Sequence, residues 1–478
     1  LLKIDHYQEI AKNVFFDLNF KRLSSPGAFV NQESNRTSFS SNIKVNSNDD
    51  KYTLNLFMDI DRIFFQENGG LANINNYELR TFDDEQNYQV NLLNSSAFNK
   101  AQKYGLSQSF NLFQFKADSN LYNNFYLKHN FSYSSKNKVF YDNDPLSNIY
   151  KDLFIDSISY TDSIFTDNIS NVAFLGFSNT KSKFELFGQY DLNKYDQNLG
   201  IFGDYHNSYI GVYGKHDFKN ITVFGTAKYG LSGYRKGDID SEIIFKKQNK
   251  KNDLVGRAYY FLNEPNLKFV SYTSNHFSWK NTSLYKESNL GLNLKYELKK
   301  TQLTFAAETK FLRNKLYYDT LALASQFNEG INVSTLSLEK QYKLLNFHFR
   351  TAIMYQITSD EYIAPLPEFV GRQILYYQKQ LFKEALKFQI GFGVSYSTSY
   401  YGYAYMPAIN EFYIQNNTKL GEYPKLDVFI NTHLKRAQIF LKYEHVNAGG
   451  SLDNAYLVPG YPMLNKSLKF GVSWNMFD

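Results

Sequence analysis

The sequence predicts an all-β chain: a single transmembrane antiparallel up-and-down β-barrel of about 20–22 strands, with long loops on one side and short turns on the other. Three observations carry this expectation. Apolar and polar residues alternate with a two-residue period along much of the 478 residues, as in strands whose two faces meet different solvents. Aromatic residues make up 18%, with 40 Tyr and 43 Phe. That exceeds what a soluble core needs and suits an apolar outer belt edged by aromatic girdles. Connections between the alternating segments run short, then long, in turn, which a soluble sandwich has no reason to do.

Composition excludes other classes. Mean hydropathy is −0.46, and no apolar run approaches the ~18 residues of a membrane-crossing helix. A membrane protein this polar must cross with strands, half of whose residues face water. Cysteine is absent, which removes disulfide and thiol chemistry. The net charge of +6 is spread among interleaved acidic and basic residues, so no nucleic-acid surface is expected. The first residue is Leu1, as expected of a processed or trimmed chain.

In chain order, residues 1–12 show no clear period and read as a periplasmic lead-in. The barrel is then one domain over 13–478. Val14, Phe16, Leu18 and Phe20 share one face, with Asp17, Asn19 and Lys21 opposite. Phe39, Ile43 and Val45 follow, then a turn at 47–51, then Tyr52, Leu54, Leu56, Met58 and Ile60. Residues 63–102 and 136–169 break the alternation and read as long loops. Between 193 and 216 the expected strands are short and Gly-rich, and Asn263-Glu264-Pro265-Asn266 reads as a tight turn. Further apolar faces are Leu290, Leu292 and Leu294, then Phe388, Ile390 and Phe392, then Leu426, Val428 and Ile430. Other short turns are expected at 117–121, 179–183, 299–301, 341–344 and 435–437. Other long connections are expected at 22–36, 313–330, 357–370, 400–424 and 447–466. An even strand number is expected, because both chain ends should lie on the periplasmic side.

The final strand places Leu468, Phe470, Val472, Trp474 and Met476 on one face. Lys469, Gly471, Trp474, Met476 and Phe477 resemble the terminal signal of outer-membrane barrels, in which the last strand closes on the first. Laid out this way, the chain resembles the putative porin family of the Bacteroidota. The stretches that carry the resemblance include Asn19-Phe20-Lys21-Arg22-Leu23 and Gln66-Glu67-Asn68-Gly69-Gly70 near the start. Near the end they include Leu420-Gly421-Glu422-Tyr423-Pro424, Lys442-Tyr443-Glu444-His445-Val446-Asn447 and Pro459-Gly460-Tyr461-Pro462. It spans nearly the whole chain and brings no catalytic residues and no cofactor. It implies a location in the bacterial outer membrane, with outer-membrane lipid and the barrel-assembly machinery as partners, together with other outer-membrane proteins.

The polar faces supply the candidate lumen-lining residues. These are Asp17, Lys21, Lys44, Asp59, Glu185, Asp191, Lys295, Glu297, Glu308, Lys310, Glu339, Arg350, Lys387, Asp427, Lys442, Glu444 and Lys469. Each reads either as a pore lining that sets ion preference or as half of a cross-strand ion pair that stiffens the wall. Their mixed signs predict weak charge selectivity. A barrel of ~22 strands usually carries a plug, so the loops at 63–102 and 136–169 are expected to fold inward, or another polypeptide to fill the lumen. TonB-driven transport would want an N-terminal plug domain, for which residues 1–12 are too short.

Asp142, Asp144, Asp152, Asp156, Asp162 and Asp167 recur in one stretch, but without EF-hand spacing, so a solvated loop is expected and no metal. Asp156-Ser157-Ile158, Asp162-Ser163-Ile164 and Asp319-Thr320-Leu321 resemble O-glycosylation sites, giving Ser157, Ser163 and Thr320 as candidates. His206-Asn207-Ser208 offers the residue types of a nucleophile and base but reads as a turn, and no His pair has metal spacing. The function expected is passive diffusion of small solutes, without catalysis. The alternative is a non-conducting barrel subunit of a larger protein-secretion or insertion assembly.

Overall fold

The computed structural model describes residues 1–49, 51–79, 81–118, 121–198, 203–383, 385–448 and 455–474. Its wall is one antiparallel sheet of 21 strands. The first seven are β1 (Leu2–Ala11), β2 (Val14–Ser25), β3 (Ser34–Asn46), β4 (Tyr52–Glu67), β5 (Ser95–Asp118), β6 (Leu121–Asp142) and β7 (Tyr160–Ser178). Then come β8 (Ser182–Gln197), β9 (Gly203–Phe218), β10 (Ile221–Ser232), β11 (Ile239–Gln248), β12 (Asn252–Asn263), β13 (Glu287–Leu298) and β14 (Leu303–Tyr318). The last seven are β15 (Ala324–Leu344), β16 (Phe347–Thr358), β17 (Phe369–Leu381), β18 (Leu386–Ser397), β19 (Lys425–Leu434), β20 (Ala437–Glu444) and β21 (Ser467–Trp474). Each strand pairs with its neighbours in sequence, so every step is a hairpin, the arrangement that alternating segments with compact connections favour.

The two faces of the wall are chemically distinct. Leu290, Leu292 and Leu294 on β13, Ile390 and Phe392 on β18, Val428 on β19 and Leu468, Phe470, Val472 and Trp474 on β21 are all exposed. At about 25 cal/mol per Å² such a surface is unfavourable in water, and hydrocarbon is the solvent that removes the cost. The opposite face carries the charged and small polar residues.

Three of the short turns close on side-chain acceptors. Asp49 Oδ1 accepts from the Lys51 amide, and the side-chain carbonyl oxygens of Asn179 and Asn249 play the same part for Lys181 and Lys251. Asn13, at φ 64°, supplies the left-handed residue between β1 and β2 that asparagine tolerates better than most side chains.

The structure moves several boundaries. Residues 2–11 are no lead-in: β1 pairs along its length with β2. Among the described residues the strands number 21, an odd count, and because the connection after β1 is a short turn, β1 starts at the end that bears the long connections. No pairing joins β1 to β21 among the described residues. The connection after β4 is 68–94, narrower than 63–102, and that after β6 is 143–159, narrower than 136–169. The Gly-rich stretch forms β8 and β9, each of 16 residues, and His206-Asn207-Ser208 lies inside β9. Residues 263–266 do not turn tightly. They open a connection over 264–286 that holds a helical turn, Leu267–Val270, and a small hairpin, Ser271–Thr273 with Ser278–Lys280. Residues 313–330 are mostly strand, with a connection of only 319–323, and the turn expected at 341–344 sits at 345–346. Most of these shifts have one cause. Beyond the hydrocarbon zone a strand's outward face meets water, so nothing enforces alternation there. Met476 and Phe477 lie outside the described residues, and Lys469, Gly471 and Trp474 fall on β21.

Candidate functional site

The inner face and the connections above it form the candidate site. Along β2–β8 the inner face is lined by small polar residues, including Ser38, Ser40, Ser132, Ser134 and Ser170, around a hollow of about 540 Å³. Asp59 and Asp191 border it. Register places the candidate lumen residues in wall strands: Asp17 and Lys21 on β2, Lys44 on β3, Asp59 on β4, and Glu185 and Asp191 on β8. Lys295 and Glu297 lie on β13, Glu308 and Lys310 on β14, Glu339 on β15, Arg350 on β16 and Lys387 on β18. Asp427, Lys442, Glu444 and Lys469 lie on β19, β20 and β21.

Some of these are brought together. Lys442 Nζ sits 3.0 Å from Asp427 Oδ2 and 2.7 Å from Glu444 Oε1, and Lys469 Nζ sits 2.6 Å from Glu444 Oε2. Glu185 accepts from Tyr126 Oη at 2.8 Å and pairs with Lys183 at 3.1 Å. Asp191 accepts from Ser170 Oγ at 2.6 Å. Lys442 with Asp427 and Lys469 with Glu444 pair across strands, Lys442 with Glu444 and Lys183 with Glu185 along one strand, and all offset charge while keeping the face wet.

The long-connection end is different in kind. Tyr272, Phe277 and Trp279 from 264–286 pack with Met406, Ala408 and Ile409 from 398–424 in one buried cluster. That cluster also takes in Ala97 and Phe140 of β5 and β6, and Tyr318 and Ala324 of β14 and β15. Strands as far as ten apart in chain order, β5 and β15, thus share a core, and the connections reach over the lumen to make it. Lys138 on β6 comes within 3.6 Å of Glu411 in the β18–β19 connection. Tyr405 of that connection donates to Glu67 Oε1, at the end of β4, at 2.5 Å.

Lys268 is at the centre of this cap. Its Nζ donates to the Ile409 carbonyl at 2.7 Å and to Glu411 Oε1 at 3.0 Å, and it lies over the rings of Tyr272 and Tyr318. Trp279 Nε1 donates to the Lys268 carbonyl at 2.8 Å. Burial pulls the Lys268 ammonium down to about 8, against the opposing pull of Glu411.

A second clasp joins 143–159 to 264–286. His276 Nε2 bonds Asp142 Oδ2 at 2.6 Å, its Nδ1 faces the Asp152 carbonyl at 2.8 Å, and Tyr150 stacks on the imidazole at 3.7 Å. Asp142 and Asp162 are therefore buried at strand ends, not members of a solvated loop. A third core gathers Leu71, Tyr77, Tyr88 and Val90 with Phe29 and Ala455. There Gly70, at φ 79°, has the Gly460 carbonyl 2.9 Å from where a Cβ would stand, so only glycine lets the two connections approach so closely.

The stretches expected to fold inward, 63–102 and 136–169, do take part in the cap. The sequence did not reveal that 264–286 and 398–424 form its centre. The usable signal was Trp279, one of only 2 Trp in the chain, in a stretch without alternation. Ser157 and Thr320 are exposed in connections, whereas Ser163 lies within β7 and bonds Asn198.

A 21-stranded wall with an apolar exterior, a polar interior and a cap built from long connections defines an outer-membrane β-barrel. Solved structures agree on the fold. The FrpB iron transporter from Neisseria meningitidis superimposes with a TM-score of 0.61 at 10% identity, over 98% of this chain and 79% of that one. The siderophore receptor PirA from Acinetobacter baumannii gives 0.60 at 7% identity, over 97% and 76%. The ferric enterobactin receptor PfeA gives 0.62 at 10% identity, over 98% and 77%. No curated protein sequence matches the chain. The family described as "Putative porin" matches residues 1–478, and the chain belongs to that family.

Proposed function

We propose that this barrel lets small solutes cross the outer membrane by passive diffusion, through a lumen that its own connections narrow at the outer mouth. The observation that supports this best is the continuous polar inner face beneath the cap, where charges of both signs are interspersed and some, such as Lys442 with Asp427 and Glu444, are paired. Interspersed charges of mixed sign leave a wet, weakly selective path. Catalysis is not assigned. In β9, His206 Nδ1 bonds Tyr190 Oη at 3.0 Å and Ser208 Oγ bonds Ser232 Oγ at 2.6 Å, so neither group serves the other as base or nucleophile. The partners of this reading are outer-membrane lipid against the apolar belt and the barrel-assembly machinery during insertion.

The test is liposome swelling and single-channel recording on purified protein, alongside a variant in which residues 266–281 are replaced by a short Gly-Ser linker. Wild-type protein should pass small solutes slowly and the variant faster. The extent of the cap favours a second reading, a non-conducting subunit of a larger outer-membrane assembly. Absence of current from both proteins, with a stable hetero-complex in mild detergent, would replace the first reading with the second.

A further inference from the structure

A second hollow, of about 530 Å³, lies against the inner face of β7–β12 at the outer mouth, under the connection 233–238 and the start of 264–286. Its size falls in the range of small-molecule sites. Four of its charged side chains, Lys228, Arg235, Asp238 and Asp240, are held in ion pairs, and a fifth, Lys194, also lines it and is not without a partner. Lys228 Nζ is 2.9 Å from Asp240 Oδ2. Arg235 Nη1 is 3.3 Å from Asp238 Oδ2, and Asp238 Oδ1 takes Lys286 Nζ at 2.5 Å.

What remains to meet a solute is aromatic and uncharged. Tyr205 and Tyr234 stand with ring centroids 5.7 Å apart at 57°, and Tyr209 lies beneath Lys228. The hydroxyls of Tyr205 and Tyr209 have no hydrogen-bond partner among the described residues. The amides of Asn193, Asn263 and Asn266 line the same space; Asn193 is bonded at both ends, while Asn263 donates to Asp240 and Asn266 accepts from the Lys268 amide, which leaves the Asn263 oxygen and the Asn266 nitrogen to meet a solute. The roof is fixed: Gly233, at φ 84°, has the His206 carbonyl 1.7 Å from where a Cβ would stand, and Tyr234 Oη donates to the Pro265 carbonyl at 2.8 Å.

We infer that this hollow is a binding site for neutral oligosaccharides on their way into the lumen. A sugar ring offers a flat C–H face to an aromatic ring and hydroxyls to amides and phenols around its edge. A phosphate or carboxylate ligand would need an uncommitted cation; Lys228 and Arg235 are already spent on Asp240 and Asp238, and Lys194, the other cation of the lining, is not free. The inference rests on the diffusion reading only for what happens to the solute after it binds.

The test is calorimetric titration of the purified full chain in detergent with maltotriose, cellotriose, mannotriose and xylotriose, and with inorganic phosphate and citrate. At least one neutral trisaccharide should bind without competition from the anions. Tyr205→Ala should weaken it about tenfold or more, Tyr205→Phe should weaken it less, and Gln389→Ala on the far wall should leave it unchanged. Failure of every neutral trisaccharide to bind would overturn the inference. So would tighter binding of either anion at this hollow, or an unchanged affinity in Tyr205→Ala. Binding without liposome swelling would remove the diffusion reading and leave this site standing. Swelling without binding would do the reverse.

Discussion

The two ends of this barrel are held by different physics. At the short-turn end, hairpins close locally: Asn179 Oδ1 takes the amides of Lys181 and Ser182, Asn249 Oδ1 those of Lys251 and Asn252, and left-handed Leu345 and Lys435 turn the chain at two others. No large buried side chain sits in those turns among the described residues. At the long-connection end, three apolar clusters hold chain segments together as the core of a soluble domain would. The wall needs only its ladder and its lipid. The mouth carries a separate core that can be loosened without opening the wall.

The sharpest way to break that comparison is Trp279→Ala. Trp279 is buried, stacks on Tyr272 at 4.7 Å and meets Tyr318 edge-on at 5.9 Å. Its removal should cost the cap about 3–5 kcal/mol. Limited proteolysis should then cut within 264–286, solute passage should rise, and heat-dependent gel migration should still report a folded barrel. Unchanged protection of 264–286 would show that the cluster does not hold the mouth. Unfolding of the wall would show that the two ends are not separable.

Next in size is a pH effect at Lys268. In the docked cap its ammonium titrates at about 8, against 10.5 when undocked. Below pH 8 both forms hold the proton, and the cost of burying the charge is felt in full. Between pH 8 and 10.5 the undocked form binds more protons, so raising the pH favours docking, by at most about 3 kcal/mol. In a Trp474→Phe background, Trp279 fluorescence reports cap opening by urea. The midpoint should rise from pH 8 to 9.5, and Lys268→Met should flatten the slope. A midpoint that falls with pH would mean that the charged pair with Glu411, not its burial, dominates.

How far the sequence reveals this architecture follows the same division. Where lipid meets the wall, each outward residue carries a desolvation rule, and Leu292, Phe392 and Val428 could be placed on the outer face from alternation alone. Charged residues such as Asp427 and Lys442 fell on the inner face for the same reason. Nothing local encodes a contact made across the lumen. Lys268 and Glu411 are 143 residues apart in sequence, and neither sits in a periodic pattern that announces the other. His276 has no partner near it in sequence, because Asp142, which it bonds, ends a strand 134 residues away. The β1 strand is hard to read in the sequence because His6 and Gln8 stand on one face with Ile4, and Tyr7 on the other with Lys3 and Asp5, a blurred alternation that its pairing with β2 makes plain.

The smallest effect is expected on the inner face, and it sharpens the comparison by contrast. Lys442 stands between Asp427 and Glu444, and Lys469 holds the other oxygen of Glu444. All four side chains keep access to solvent, so the attraction is screened, and exposed pairs of this kind contribute about 0–1 kcal/mol. Lys442→Gln should therefore change the urea stability of the wall by no more than about 1 kcal/mol. It leaves two carboxylates facing the lumen with one less cation, so reversal potentials in a salt gradient should move toward cation preference. A loss of stability as large as that expected for Trp279→Ala would put a load on the lumen ladders that the geometry does not give them, and the wall would then depend on its charges and not on its hydrogen-bonded strands and lipid belt.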